Sequence, residues 1–227
     1  MKPVHFVGSS REDLRNLPES VQETAGFQLF KVQQGKEPDD WKPMAAIGPG
    51  VQEIRVRDDT GTYRMFYVAK FQEALTENSK AGYRAGQNPI CGAAHVEKGG
   101  WVMKRATVTK GSGNIFRDLG FSEERSAELI LKSSLLQALQ ETIRDRGWKQ
   151  VEAATHLGID QAKVSKLLSG QMAGFSVERL VHFLSLLGQD VEVTVRQAPR
   201  GQRYGTVRSK VTRRSRTVAR ARSENVS

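Results

Sequence analysis

The chain has 227 residues, with 35 Lys plus Arg against 25 Asp plus Glu, enough for two small domains at roughly 100–200 residues each. Hydrophobic residues make up 38% of it, which excludes a wholly disordered or collagen-like chain. No run nears the roughly 18 apolar residues of a membrane span, and the start MKPVHFVGSSREDLRNLPES lacks an apolar leader core. A single cysteine, Cys91, excludes an intrachain disulfide and a multi-cysteine zinc site, while His5, His95, His156 and His182 lie far apart. A cytoplasmic protein with no metal, no other cofactor and no membrane partner is expected.

The net charge of +10 is unevenly placed. Residues 1–75, 76–102 and 103–197 carry −1, +1 and +2, whereas residues 198–227 hold nine basic residues and one acidic residue.

In chain order, Val4, Phe6 and Val7 read as a short strand. Ser9 or Ser10 can cap a short helix reaching Leu17, and Pro18 stands where the first position of a second helix tolerates proline. Val21, Ala25, Leu29 and Val32 then recur at helical spacing until Gly35. Trp41, Pro43, Gly48, Pro49 and Gly50 mark a loop. VQEIRVRDDTGTYRMFYVAKF gives two partly alternating runs around Asp59–Gly61, a β-hairpin. Such a hairpin is marginal alone, and no further strand is evident for it. From Thr76 to Gly100 neither hydrophobic period occurs, as in a linker.

Ser122, Glu123 and Glu124 suit a helix N-terminus, and Leu129, Leu136, Leu139 and Ile143 lay an apolar stripe along the helix that follows, up to Gly147. KQVEAATHLG, QAKVSKLLSG and FSVERLVHFLSLLG predict three short helices broken at Gly158, Gly170 and Gly188. Val191, Val193 and Val195 alternate as in a strand, and the tail after Pro199 shows no apolar period.

A helix-turn-helix needs a first helix across the DNA backbone, a tight turn, and a second helix whose N-terminal residues reach base edges. Residues 150–168 supply the parts. Gln150 opens the leading helix, where an amide can bond a phosphate. Ala153 is small where helices must approach, and Gly158 can take the left-handed conformation that ends the helix. Ile159 plugs the core from the turn, and Asp160 can cap the second helix. Gln161, Lys163, Ser165 and Lys166 lie on its outward side, and Val164, Leu167 and Leu168 face inward. The order G-I-x-Q-x-x-V-S-x-x-x-x-G resembles the Cro/cI or XRE family over residues 130–188. The resemblance implies base or adjacent phosphate contacts at Gln161, Lys163 and Lys166. It also implies a phosphate contact at Gln150, and backbone amides offered to phosphate by residues 170–176. Together, Gln150, Gln161, Lys163, Ser165 and Lys166 are the candidate DNA-binding residues.

The flanks KGSGNIFRDLGFS and GFSVERLVHFLSLLGQDVEVTVR resemble HigA-type antitoxins. Such antitoxins bind the operator of their own operon as dimers, which implies double-stranded DNA, a second copy and an intact toxin as partners. The first segment resembles phage-related HigB toxins of the RelE/ParE superfamily over residues 2–74, through KPVHFVGSSREDLRNLPE, VQQGKEPDDWKPM and the hairpin. That likeness implies ribosome-dependent mRNA cleavage by cations on the scissile phosphate, for which Arg55, Arg57, Arg64, Lys70 and Tyr67 remain. Arg55, Arg64 and Tyr67 are its vestigial catalytic candidates. The family continues into a further strand and a Phe-x-Lys-Lys stretch, whereas LTENSKAGYRAGQNP follows Ala74 here. A sequence-specific regulator is therefore expected ahead of an active nuclease. Lys98-Gly99-Gly100 shortly before Met103 is a coding pattern compatible with a ribosome-binding sequence, so residues 76–102 read as a toxin end and intergenic stretch joined to an antitoxin.

The expected organisation is a truncated toxin-like α+β domain (1–75) with two helices and a small antiparallel sheet, and a linker (76–112). An all-α helix-turn-helix domain with a short C-terminal strand (113–197) and a disordered basic tail (198–227) follow. If four or five of the tail's nine cations meet phosphates, deleting residues 198–227 should flatten the slope of log K against log salt by roughly 4, at ~0.9 per contact. Titrations of operator and random duplexes at several salt concentrations check this, and preference for the operator should stay the same or rise.

Overall fold

The computed structural model describes residues 2–69 and 107–193. Its N-terminal part runs β1 (His5–Val7), α1 (Ser10–Arg15), α2 (Glu19–Gln33), β2 (Trp41–Pro43), β3 (Val51–Asp58) and β4 (Gly61–Val68). The second part runs β5 (Val108–Lys110), α3 (Ile115–Asp118), α4 (Glu123–Asp145), α5 (Gln150–Leu157), α6 (Gln161–Leu168) and α7 (Val177–Leu186). The α+β start followed by a helical domain is the fold class that the hydrophobic periods predict.

Local chemistry explains most boundaries. The Ser10 hydroxyl accepts from the Val7 amide at 3.0 Å, turning the chain from β1 into α1. The helix α1 stops at Arg15, short of the expected Leu17, and Pro18 is the N-cap of α2 rather than its first residue. The Ser122 hydroxyl accepts from the Arg125 amide at 3.1 Å, an N-cap that starts α4.

Two strands escape the periodic reading. The three-residue β2 pairs antiparallel with β3, Trp41 opposite Ile54, and gives the hairpin the third strand it needs. A run this short, ending in proline, has no period to detect. Equally, β5 lies inside the stretch expected to be a linker, and it pairs antiparallel with β1, His5 opposite Lys110. All three of its side chains are exposed, so the backbone ladder holds it and no apolar signal marks it. Residues 190–193, expected to begin a strand, show no regular structure, and Val193 is 80% exposed. Val195, the expected linker over 76–106 and the basic tail lie outside the described residues.

The two parts share one hydrophobic core. Phe6, Phe27 and Ile54 from the first, and Ile115, Phe116, Leu129, Leu136 and Leu139 from the second, are all buried in it. The stripe Leu129, Leu136, Leu139 and Ile143 faces inward as predicted. Gly26 lets α2 approach α3, because a Cβ there would stand 2.5 Å from the Phe116 ring. Polar contacts reinforce the seam. The Asp118 carboxylate, fully buried, accepts from the Ser112 amide at 2.9 Å and from Arg11 at 3.3 Å, while Arg15 donates to the Asp118 carbonyl at 3.0 Å. Arg125 pairs with the buried Glu23, and Lys36 with Glu141 at 2.6 Å. Among the described residues no helix is long and apolar enough to cross a membrane.

Two predictions follow from this seam and its edge. Gly26→Ala forces a methyl against a buried ring, and overpacking of that kind costs about 1–3 kcal/mol. It should lower Tm by roughly 2–4 °C per kcal/mol while melting stays a single transition, which calorimetry checks. At the hairpin, Asp58 accepts from the Thr60 amide at 3.1 Å and from the Ser20 hydroxyl of α2 at 2.9 Å. These bonds, that from Thr60 foremost, hold its carboxyl below the usual range. The stability they add is present above the unfolded-state pKa and is lost as pH falls through the folded one. The Tm gap between the parent and Asp58→Ala should therefore narrow on acidification.

Candidate nucleic-acid interface

The helix α5 starts at Gln150 and ends at Gly158, whose φ of +63° is the left-handed conformation expected there. The Lys149 amide donates to the Glu152 carboxylate at 2.7 Å, fixing the first turn. Ala153 is fully buried where α5 meets its neighbours, Leu157 is buried beside the turn, and Ile159 is half-buried against the core. Asp160 caps α6, its Oδ1 accepting from the Lys163 amide at 2.7 Å and its Oδ2 lying 2.9 Å from Lys163 Nζ. The Lys163 bonds, side chain before backbone, hold the Asp160 carboxyl below its ordinary range. The cap is thus charged at neutral pH.

The outward set is brought together as expected: Gln161, Lys163, Ser165 and Lys166 are exposed on α6, with Val164 and Leu167 buried and Leu168 half-buried. The Gln161 amide donates to the Gln150 side-chain oxygen at 3.4 Å, so the first residues of α5 and α6 touch. That pairing leaves the Gln150 amide hydrogens and the Gln161 oxygen free of each other, a donor and an acceptor side by side on one face. Periodic reading missed Arg179. It stands on the first turn of α7, after the Ser176 cap, with its guanidinium over the Phe183 ring at 5.4 Å. With Thr155, Gly158, Asp160, Gln161 and Lys163 it lines a shallow cleft of about 560 Å³. The signal in the sequence is Ser176, a cap, followed by a cation at the third helical position, a pattern that marks a helix start without marking a contact.

The loop after α6, expected to face phosphate, is partly engaged elsewhere. Gly170 has φ of +78°, and a Cβ there would meet the Phe27 ring at 2.6 Å, so this turn needs glycine twice over. The Gln171 side-chain amide donates to the Arg57 carbonyl at 2.9 Å. The loop therefore leans on the first half.

The catalytic candidates of the first half do not converge. Arg55 stands opposite Arg64 in the β3–β4 ladder, whereas Tyr67 stands opposite Gln52. Successive strand residues alternate faces, so Tyr67 shares the buried face with Ile54 and Met65, and the arginines share the other face with Glu53. Carboxylates hold those arginines: Arg55 lies 2.8 Å and Arg57 3.5 Å from Asp40, and Arg64 lies 3.4 Å from Glu53, which also pairs with Lys42 at 3.2 Å. Lys70 lies outside the described residues. Among the described residues no group of three or more His, Cys, Asp or Glu could hold a metal.

Comparison with known proteins finds two family models on the chain. Residues 115–196 match the family model of a helix-turn-helix domain, and residues 12–76 match that of phage derived protein Gp49-like. A solved structure described as "Putative XRE Family Transcriptional Regulator" is 39% identical over 40% of this chain and 97% of its own length, with a TM-score of 0.35. No curated protein matches the chain. On identity over nearly the whole of that relative, the chain belongs to the XRE family of helix-turn-helix proteins, and a Gp49-like segment precedes its helix-turn-helix domain.

Proposed function

We propose that the protein is a sequence-specific DNA-binding regulator of type II toxin–antitoxin descent that represses transcription from its own operator. The observation that carries this reading is the exposed face of α6, where Gln161 meets Gln150 at the N-terminal end and Lys163 and Lys166 follow along the helix, Lys166 in its last turn. An amide that can bond adenine bidentately, flanked by lysines for guanine or phosphate, is what direct readout in the major groove requires. Gln150 is the phosphate anchor, Gln161 and Lys166 read base edges, and Lys163 and Ser165 complete the contact set. A relative described as a transcriptional regulator supports the same reading. The Gp49-like match over residues 12–76 supports the toxin-related descent of the first half. A two-fold operator would take two copies of the chain, one per half-site.

DNA rather than a separate toxin is the partner this reading favours, because the chain's own first half packs against α3 and α4. Nuclease action has no equal support, since Arg55 and Arg64 are held by carboxylates and Tyr67 is on the other face.

Gel shift with DNA from immediately upstream of the coding sequence tests the proposal, and preference for that duplex over a shuffled one is expected. Gln161→Ala should cost about 1–3 kcal/mol on the preferred duplex and blur one or two positions of it. Gln150→Ala should weaken all duplexes alike. Equal affinity of the Gln161→Ala variant and the parent for the preferred duplex would remove Gln161 from the reading surface.

A further inference from the structure

The C-terminal end of α6 has carbonyls that no backbone amide of its own helix can reach, as at every helix end. Besides the Gly170 amide, which donates to the Leu167 carbonyl at 3.1 Å, two side-chain amides from opposite sides of the seam supply donors. Gln140 of α4 donates to the carbonyls of Leu167 at 2.9 Å and Leu168 at 3.2 Å. Gln28 of α2 donates to the carbonyl of Ser169 at 3.2 Å. One carboxylate orients both: Asp39 Oδ2 accepts from Gln28 at 3.0 Å and from Gln140 at 3.2 Å. The Asp39 amide in turn donates to the Gln28 side-chain oxygen at 2.9 Å, so Gln28 is gripped at both ends of its amide. Lys31 neutralises the buried carboxylate at 2.5 Å. Gln28, Lys31 and Gln140 are all buried, and the Phe27 ring closes the cluster against Gly170.

Nothing in the hydrophobic packing requires these polar groups. Burying Lys31 and Asp39 costs desolvation that an apolar pair would avoid, and what such a pair provides instead is a fixed geometry. The geometry fixed here is that of α6. Its eight residues span about 12 Å at 1.5 Å per residue, so a small tilt at the clamped C-terminus displaces Gln161 at the other end. Contacts to base edges tolerate little of that, because a site must be held within about 0.5 Å to act.

We infer that Gln28, fixed by Asp39 and Lys31, is a positioning residue for DNA recognition, through which the Gp49-like half sets the angle of the recognition helix. The inference rests on the DNA-binding reading above and adds to it a role for the first half that requires no catalysis. The Gp49-like segment is then a working part of the regulator.

The test uses the full chain, the upstream duplex and a shuffled duplex of equal length. Gln28→Met keeps the side-chain volume and removes the amide. It should reduce affinity for the upstream duplex by roughly tenfold, the size of one lost base-pair contact, and leave the shuffled duplex within about twofold, as phosphate contacts dictate. Hydrogen exchange over residues 164–171 should quicken in the free protein while α5 keeps the parent's protection. Gln140→Met, which removes the other clamp, should give the same pair of changes. Parent-like preference together with parent-like exchange in both variants would overturn the positioning role and leave the DNA-binding reading standing. An equal loss on both duplexes would also overturn it, by showing that the cluster only supports the fold. A parent without preference for its upstream duplex overturns the DNA-binding reading, and this inference falls with it.

Discussion

The structure depends on the enclosure of α2. A surface helix buries one stripe, yet this one buries Val21, Ala25, Phe27, Leu29, Phe30 and Val32 together with Glu23, Thr24, Gln28, Lys31 and Gln33. Such a helix has no solvent face to keep and must be surrounded. The three-stranded sheet covers part of it, and α3, α4 and the turn after α6 cover the rest. Each buried polar residue then needs a partner from whichever element lies over it. Arg125 answers Glu23, Asp39 answers Lys31, and the end of α6 answers Gln28. Separating the two halves would expose Phe27 and Phe116, each contributing about 1.5–3 kcal/mol of burial, and would strand these charges.

That enclosure also explains which parts of the fold the sequence disclosed. Periods of 3.6 found α2, α4, α5, α6 and α7, because each has apolar residues that recur toward one core. The alternation in residues 51–68 found the hairpin, with Ile54, Val56, Met65 and Tyr67 inward. What periodicity could not reveal is where partners come from. Lys31 and Gln28 carry no apolar signal, and it takes Asp39, with Gln140 bonded to Asp39 and Ser169 bonded to Gln28 from more than a hundred residues away, to show that they are interior. The strand β5 was illegible for the complementary reason: a ladder of three exposed residues is held by backbone groups, which every sequence has.

The candidate interface was legible to a greater degree, since a helix-turn-helix is a local object. Ala153, Gly158 and Asp160 do what their spacing requires within about a dozen residues of chain, and the outward set on α6 follows from the same short pattern. Arg179 belongs to the next helix and reaches the cleft only through the packing of α7, so no motif contains it. The arginines of the hairpin were legible as cations but not as bound ones. Asp40 and Glu53 stand close to them in sequence, but only the ladder register puts Lys42 and Arg64 on one buried carboxylate.

The two ends of α6 are treated differently, and the difference has a direction. At the N-terminus Asp160 supplies the cap and the outward side chains meet solvent, while at the C-terminus the carbonyls of Leu167, Leu168 and Ser169 meet buried amides. A helix free at both ends would have to be ordered by its target and would give up affinity in doing so. A helix held at the end away from its target presents its reading residues already placed. The Gp49-like half is on the holding side of that arrangement, with Arg55, Arg57 and Arg64 paired to Asp40 and Glu53 and with Phe27 pressed into the turn behind the helix. What this Gp49-like half contributes to α6 is packing at Phe27 and a side-chain amide at Gln28, both placed by contacts across the seam.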